Sequence, residues 1–375
     1  MRNLGGSLYI YPMLASITSP TLLVSERRVR DNLERMAARA SRHGLQLCPH
    51  FKTHQSLVVG EWCRDYGVEE ITVTSLRMAK FFAGGGWKKV AIAMPLNPRE
   101  IPAIGQLAES VEMSVFLVDS ANAAKLAEGI ISPIGYFIEI DAGYGRSGVS
   151  WEDHQSIRAI LQGAGHHQFR GFYVHSGHTY DTNSVREITE VHEELLARIS
   201  ALKSAFTDHG PIVAIGDTPA CSTQENFRGI DRIGPGNFIY YDLTQVKLGS
   251  CKLEDIAACA AVPVVQHKGE EIVVHGGWVQ LGKDSLHLHA VAPLGSGHRP
   301  TTLYGRMVLL DEEGRWDTSL PMGTVTKLSQ EHGTITLPPS LQNSVKEGDL
   351  VGILPVHSCA TVHGLLATGE TVYLR

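Results

Sequence analysis

Lys52 stands in the string Cys48-Pro49-His50-Phe51-Lys52-Thr53-His54-Gln55, at the end of an apolar run that follows an amphipathic helical pattern. Carrying an amine into an apolar interior favours its neutral form, and a neutral amine forms a Schiff base with an aldehyde. The plain alternative is a lysine that snorkels from a strand end to solvent. A second pair of reactive types is His357 and Cys359 in Pro355-Val356-His357-Ser358-Cys359-Ala360-Thr361. On a strand, i and i+2 side chains share a face, so the two could chelate one metal. Imidazole with thiolate suits zinc, with manganese or magnesium as alternatives. The alternative is a buried cysteine beside an unrelated strand-end histidine, because two ligands need water, substrate or a third group to hold a metal. His287-Leu288-His289 has the same spacing but lies in a turn-like context with no long apolar strand before it. His166-His167 reads as solvated loop, and the other cysteines read as core residues.

These residues need elements to position them. From about residue 20 to 240 the pattern alternates helix and strand. Val29, Leu33 and Met36 give an apolar face to a helix over 25–42, which Ser25 can cap. Strands are expected at 45–51, 70–74, 89–94, 113–118, 135–140, 171–175, 212–215 and 229–233, with helices between most of them. Helices are expected at 98–107, 120–129, 151–161 and 184–206. Eight β-α units predict a closed (β/α)8 TIM-type barrel, with a doubly wound open sheet as the runner-up. Beyond about residue 245 the runs 261–266, 271–274, 306–310, 323–328, 333–337 and 349–355 alternate with turn signals and predict a β-rich domain. The expected division is 19–245 for the barrel and 246–375 for the β-domain. Residues 1–18, with a strand-like 7–11, join the β-domain.

Active sites of such barrels lie at the C-terminal ends of the strands. Lys52 falls there. So do Asp141 to Gly148, Tyr173 and His175, Thr179 and Tyr180, Gly216-Asp217-Thr218-Pro219 and Gly234-Pro235-Gly236-Asn237. Each loop alone is first of all a turn. Loops rich in small residues after strands seven and eight commonly cradle phosphate through backbone N–H groups. A strand-end lysine with a phosphate cup suggests pyridoxal 5'-phosphate, with Lys52 holding the aldehyde.

Composition excludes several other classes. The chain has 375 residues, 43% hydrophobic and 19% charged, with a net charge of -6. No basic block is present, so nucleic acid is not an expected partner. No apolar run reaches membrane-spanning length, and the start lacks a signal-peptide core. Six scattered cysteines in a chain of this size do not form a disulfide framework, so a cytoplasmic location is expected.

The strings Pro49-His50-Phe51-Lys52-Thr53-His54, Ile140 to Val149 and Gly171 to Gly177 resemble the alanine-racemase-fold pyridoxal enzymes. Gly216 to Pro219, Pro235 to Asp242 and His357-Ser358-Cys359 resemble them too. The likeness is to the metal-activated branch with eukaryotic-type D-serine dehydratase, D-threo-3-hydroxyaspartate dehydratase and D-threonine aldolase. The resemblance implies a lyase acting on D-β-hydroxy amino acids, a barrel followed by a β-domain, and a homodimer. It implies Lys52 as the cofactor lysine, and Tyr173, Tyr180, Thr218, Gly236 and Asn237 as cofactor-binding positions, with Arg146 beside the cofactor ring. It implies His357 and Cys359 as metal ligands. The expected reaction is elimination to a keto acid and ammonia. Retro-aldol cleavage to glycine and an aldehyde is the alternative; racemization and cofactor buffering without turnover leave the metal pair with no task. Two strings depart from the pattern: Leu76-Arg77-Met78-Ala79, where the family has a glutamate, and Gly276 to Asp284.

Overall fold

The structure is a computed structural model that describes residues 14–287 and 302–375. The strand expected at 7–11 and His289 lie outside the described residues. The chain divides into two compact units. One is Leu33–Phe238 with Leu248–Ser250; the other takes in the chain up to Asn32, Ile239–Lys247 and Cys251–Arg375.

The first unit is built on eight parallel strands. In chain order they are Gln46–Leu47, Glu70–Val73, Lys89–Pro95, Glu112–Leu117, Gly135–Asp141, Gln168–Val174, Ile212–Ile215 and Arg232–Ile233, called here barrel strands one to eight. From strand two onward each pairs with the next, and strand eight pairs with strand one. The ring is completed just past strand one. His50 bridges Thr72 in parallel, Phe51 N donates to Thr72 O at 2.8 Å, and Thr72 N donates to Pro49 O at 3.0 Å. A closed barrel is therefore present, rather than the open doubly wound sheet. Its interior is filled by Ala91, Phe116, Phe137, Tyr173 and Ala214 from strands three to seven.

Local chemistry explains where the helices begin. Ser56, Ser75, Asp119, Asp153, Ser184 and Asp217 each accept a backbone N–H of the first turn that would otherwise lack a partner. The Asp153 cap starts its helix at His154, three residues later than the start expected at 151. The buried face of Glu26–Arg42 carries Val29, Leu33 and Met36. His167 is not solvated. It is buried, with Nδ1 accepting from Ile134 N and Nε2 against Leu126 O.

The second unit is a largely antiparallel sheet. Strands Ala258–Lys268, Glu271–His275, His332–Thr336, Gly323–Leu328, Gly305–Leu309 and Leu350–Pro355 form a ring, because Ala258–Lys268 pairs at one end with Leu350–Pro355 and at the other with Glu271–His275. A bulge between Val264 and Gln266 gives the long strand the bend this needs. Thr21–Ser25 then pairs antiparallel with Ala258–Lys268, and Thr371–Leu374 lies parallel to Thr21–Ser25. Thr21–Ser25 thus belongs to this sheet and not to the barrel, so the boundary expected at 19 falls later. Its all-buried Thr-Leu-Leu-Val run finds hydrogen-bond partners on both sides within this sheet. Among the described residues no helix is long and apolar enough to cross a membrane.

Candidate active site

The loops at the C-terminal ends of the barrel strands converge on the Lys52 turn. Strand one ends at Leu47, and Phe51–His54 is a turn. Phe51 goes fully into the core, where it packs edge-on against Phe82 and Trp87 at 5.0 and 5.1 Å. Lys52 is therefore half-buried at the barrel mouth, not sealed in the apolar interior expected from the preceding run.

The loop after strand eight packs backbone to backbone on this turn. His50 N donates to Pro235 O at 3.1 Å. A Cβ at Gly236 would stand 2.8 Å from His50 O and 3.0 Å from Thr53 Oγ1, and one at Gly234 would stand 2.9 Å from Cys48 O. Glycine is needed here because of close approach. The loop after strand seven is held from two sides. Asp217 Oδ1 accepts from Ala220 N at 2.8 Å and from Thr179 Oγ1 at 3.1 Å, and Tyr180 OH accepts from Thr218 N at 3.2 Å. Tyr173 lies in the barrel with its ring 4.5 Å from Phe116, and a Cβ at Gly216 would collide with its hydroxyl. Burial raises the Tyr173 phenol, with the Glu139 carboxylate adding to the effect. Lys52, Tyr173, Tyr180, Thr218, Gly236 and Asn237 therefore all belong to the strand-end region of one barrel.

Charge in this region is organised around neutral histidines. Burial holds His50 well below the ordinary imidazole range, and the nearby Lys52, His175 and Arg146 charges lower it further. Burial, then Arg146 and Lys52, push His175 down to about 3. His54 is pushed down to about 3 by burial, its Nδ1 accepting from Ser56 N. The Arg146 guanidinium, which stays protonated, is then a fixed positive charge at the mouth and favours an anionic ligand. Arg146 is exposed in the Asp141–Gly148 loop, 3.8 Å from the buried Glu139, which also accepts from Ser147 Oγ at 2.7 Å. Asp141 Oδ1 shapes that loop by accepting from Gly143 N and Gly145 N. Glu139 went unnoticed in the sequence. Its signal was a carboxylate inside an otherwise apolar strand, in step with the inward-facing Phe137.

These residues fit a phosphorylated pyridoxal. Thr218 Oγ1 and Ser176 Oγ are buried without a hydrogen-bond partner, which is costly unless a ligand supplies one. Gly236→Ala is expected to cost about 1–3 kcal/mol from overpacking and to weaken pyridoxal phosphate binding at the same time. Urea denaturation and a cofactor titration check both effects; an alanine variant matching the parent in both would show that the loop has slack.

In the second unit, His357 and Cys359 do not lie on a strand. Leu350–Pro355 ends two residues earlier, His357 caps the helix Ser358–Thr368 with φ −133° and ψ 101°, and Cys359 sits in its first turn. The shared-face reasoning is replaced by a strand-to-helix corner. Asp242 fixes the corner by accepting from Ser358 N at 2.9 Å and from Gln245 N at 3.0 Å. His357 Nδ1 lies 3.2 Å from Asp284 Oδ2. Burial alone would lower the His357 imidazolium. Hydrogen bonds to Asp284 and Cys359 and the charges of Cys359 and Asp242 outweigh it and push the group up to about 11. Soft thiolate and imidazole side by side fit a borderline metal such as zinc. His287 sits exposed on the two-residue strand Leu286–His287, paired with Thr302–Leu303.

A closed parallel barrel with a lysine and two phosphate-loop candidates at its mouth, followed by an antiparallel β-unit, defines a fold class shared by pyridoxal enzymes. The chain belongs to the family described as alanine racemase, N-terminal domain, whose model matches residues 24–244; the putative serine dehydratase domain matches residues 257–366. The chain is 26% identical to D-threo-3-hydroxyaspartate dehydratase of Delftia sp. strain HT23, over 93% of this chain and 92% of the relative. It is 28% identical to D-serine dehydratase of Dictyostelium discoideum, over 92% of this chain and 91% of the relative. The solved structure of the Delftia enzyme superposes with a TM-score of 0.82 at 25% identity, covering 94% of both chains.

Proposed function

We propose that this protein is a pyridoxal-phosphate- and metal-dependent lyase that dehydrates a D-β-hydroxy amino acid to a keto acid and ammonia. The convergence of the Lys52 turn with the Gly216–Thr218 and Gly234–Asn237 loops at one barrel mouth carries the reading. The relatives named above act as dehydratases on D-serine and D-threo-3-hydroxyaspartate, and a metal-free form of the latter enzyme has been solved.

Bound at these sites, the cofactor supplies an electron sink for charge developing at Cα, and a divalent metal, zinc first among the candidates, supplies a Lewis acid for the departing β-hydroxyl. In this reading Lys52 anchors the cofactor and, once released by substrate, its amine takes the α-proton. Thr218, Gly236, Asn237 and Tyr180 hold the phosphate end, Tyr173 and Arg146 orient the ring, and His357 and Cys359 hold the metal. The six cysteines are free thiols, which fits a cytoplasmic location. The resemblance to the metal-activated branch supports a homodimer, which light scattering would test.

The deciding experiment incubates the purified protein with D-serine, D-threonine and D-threo-3-hydroxyaspartate, with and without chelator, and measures keto acid, ammonia, glycine and aldehyde. Keto acid and ammonia in equal amounts, lost on chelation and restored by metal, are expected. Glycine and aldehyde without ammonia would overturn dehydration in favour of retro-aldol cleavage. Full activity after metal removal would remove His357 and Cys359 from the mechanism.

A further inference from the structure

The segment Trp278 to Asp284 departs from the family pattern, and the structure gives its last residue a task. The short helix Trp278–Leu281 is clamped to the helix Ser358–Thr368. Thr361 Oγ1 donates to Leu281 O at 2.9 Å, and Gly364 admits the Val279 carbonyl so closely that a Cβ there would collide with it. The chain then turns at Gly282, with φ +79°, where a Cβ would lie 3.1 Å from Ala360 Cβ. Lys283 is drawn aside, its Nζ 4.5 Å over the Trp278 ring. Asp284 is left facing the corner, with Oδ2 at 3.2 Å from His357 Nδ1.

A carboxylate only accepts hydrogen bonds, so the His357 nitrogen facing it carries the proton. Nε2 is then the nitrogen whose proton a metal would displace. Asp284 Oδ2 is in hydrogen-bonding range of the imidazole Nδ1, the nitrogen opposite the one that would face a metal. Histidine ligands commonly donate their second N–H to a carboxylate in this way, which sets the tautomer and the ring orientation.

We propose that Asp284 is the positioning residue of the metal pair, fixing His357 as the Nδ1–H tautomer so that Nε2 faces the ion. This rests on the reading of His357 and Cys359 as ligands. The test measures zinc affinity by competition with a chromophoric chelator for the full-length protein and for the Asp284→Ala, Asp284→Asn and His357→Ala variants. Loss of stoichiometric zinc in His357→Ala is expected. Asp284→Ala is expected to weaken zinc by about 10–100-fold. Asp284→Asn is expected to recover most of that loss, because an amide oxygen still accepts from Nδ1. Wild-type affinity in Asp284→Ala alongside lost binding in His357→Ala overturns the positioning role alone. An Asn variant as weak as the Ala variant also overturns it, since the charge and not the hydrogen bond would then matter. Undiminished binding in His357→Ala removes the ligand reading and the inference with it.

Discussion

Replacing Lys52 with alanine is expected to abolish the visible Schiff-base absorbance of the purified holoprotein and to lower turnover by on the order of 10⁴-fold. The loss is large because one amine has two tasks, anchoring the aldehyde and moving the α-proton. Arginine at this position is expected to rescue neither, since a guanidinium stays protonated and cannot condense with an aldehyde. The fold is expected to be unaffected. Lys52 is half-buried in a turn whose packing rests on its neighbour Phe51, so the midpoint of thermal unfolding of the cofactor-free variant should match that of the cofactor-free parent. A visible band that survived in Lys52→Ala would move the anchor to another amine. A lost band with a collapsed unfolding midpoint would make the residue structural.

The second large effect lies at the opposite end of the barrel. Glu70 opens strand two and Arg232 opens strand eight; both are buried, and they pair at 2.9 Å. Arg170 extends the network to Glu70 at 3.5 Å and to Glu112 at 2.7 Å. The Glu70 and Arg232 side chains are only 5% and 11% exposed, so neither reaches water readily if its partner is removed. Arg232→Ala strands the Glu70 carboxylate beside a half-exposed Arg170, and Glu70→Ala strands Arg232. Each single change is expected to cost roughly 3–5 kcal/mol by urea denaturation. The double change should cost less than the sum of the two, because it leaves no lone charge. Activity per folded molecule should hold, as the pair lies at the strand starts and Lys52 beyond a strand end. Single variants within about 1 kcal/mol of the parent would mean that water reaches the network and screens it.

Much of this architecture was legible from local pattern. Helix positions followed from apolar periodicity, and the barrel followed from repeated β-α units whose apolar faces are short-range features. Strands one and eight were the hardest to bound. Each has two residues in the ladder, at 46–47 and 232–233, and closure depends on irregular backbone at Pro49–Phe51 that carries no strand periodicity. Thr21–Ser25 falls inside the range expected for the barrel, 19–245, yet its partners are Ala258–Lys268 and Thr371–Leu374, a choice made by long-range hydrogen bonding. The shared-face argument for His357 and Cys359 does not match their surroundings. Their spacing looked like a strand face, and the helix that begins at Ser358 instead brings them to a corner.

The sequence by itself determined the class of fold, the lysine, the glycine-bearing loops and the His-Ser-Cys pair, because each is written in residue type and spacing over a few neighbours. The tertiary structure alone decided which carboxylates serve them. Glu139 meets Arg146 and Ser147 across a loop, Asp242 reaches Ser358 over 116 positions, and Asp284 reaches His357 over 73. A carboxylate on a surface turn and one that orients an imidazole are the same letter in a sequence. Only the packing of two helices against each other, with Gly282 and Gly364 allowing the approach, brings that carboxylate within hydrogen-bonding range of its partner.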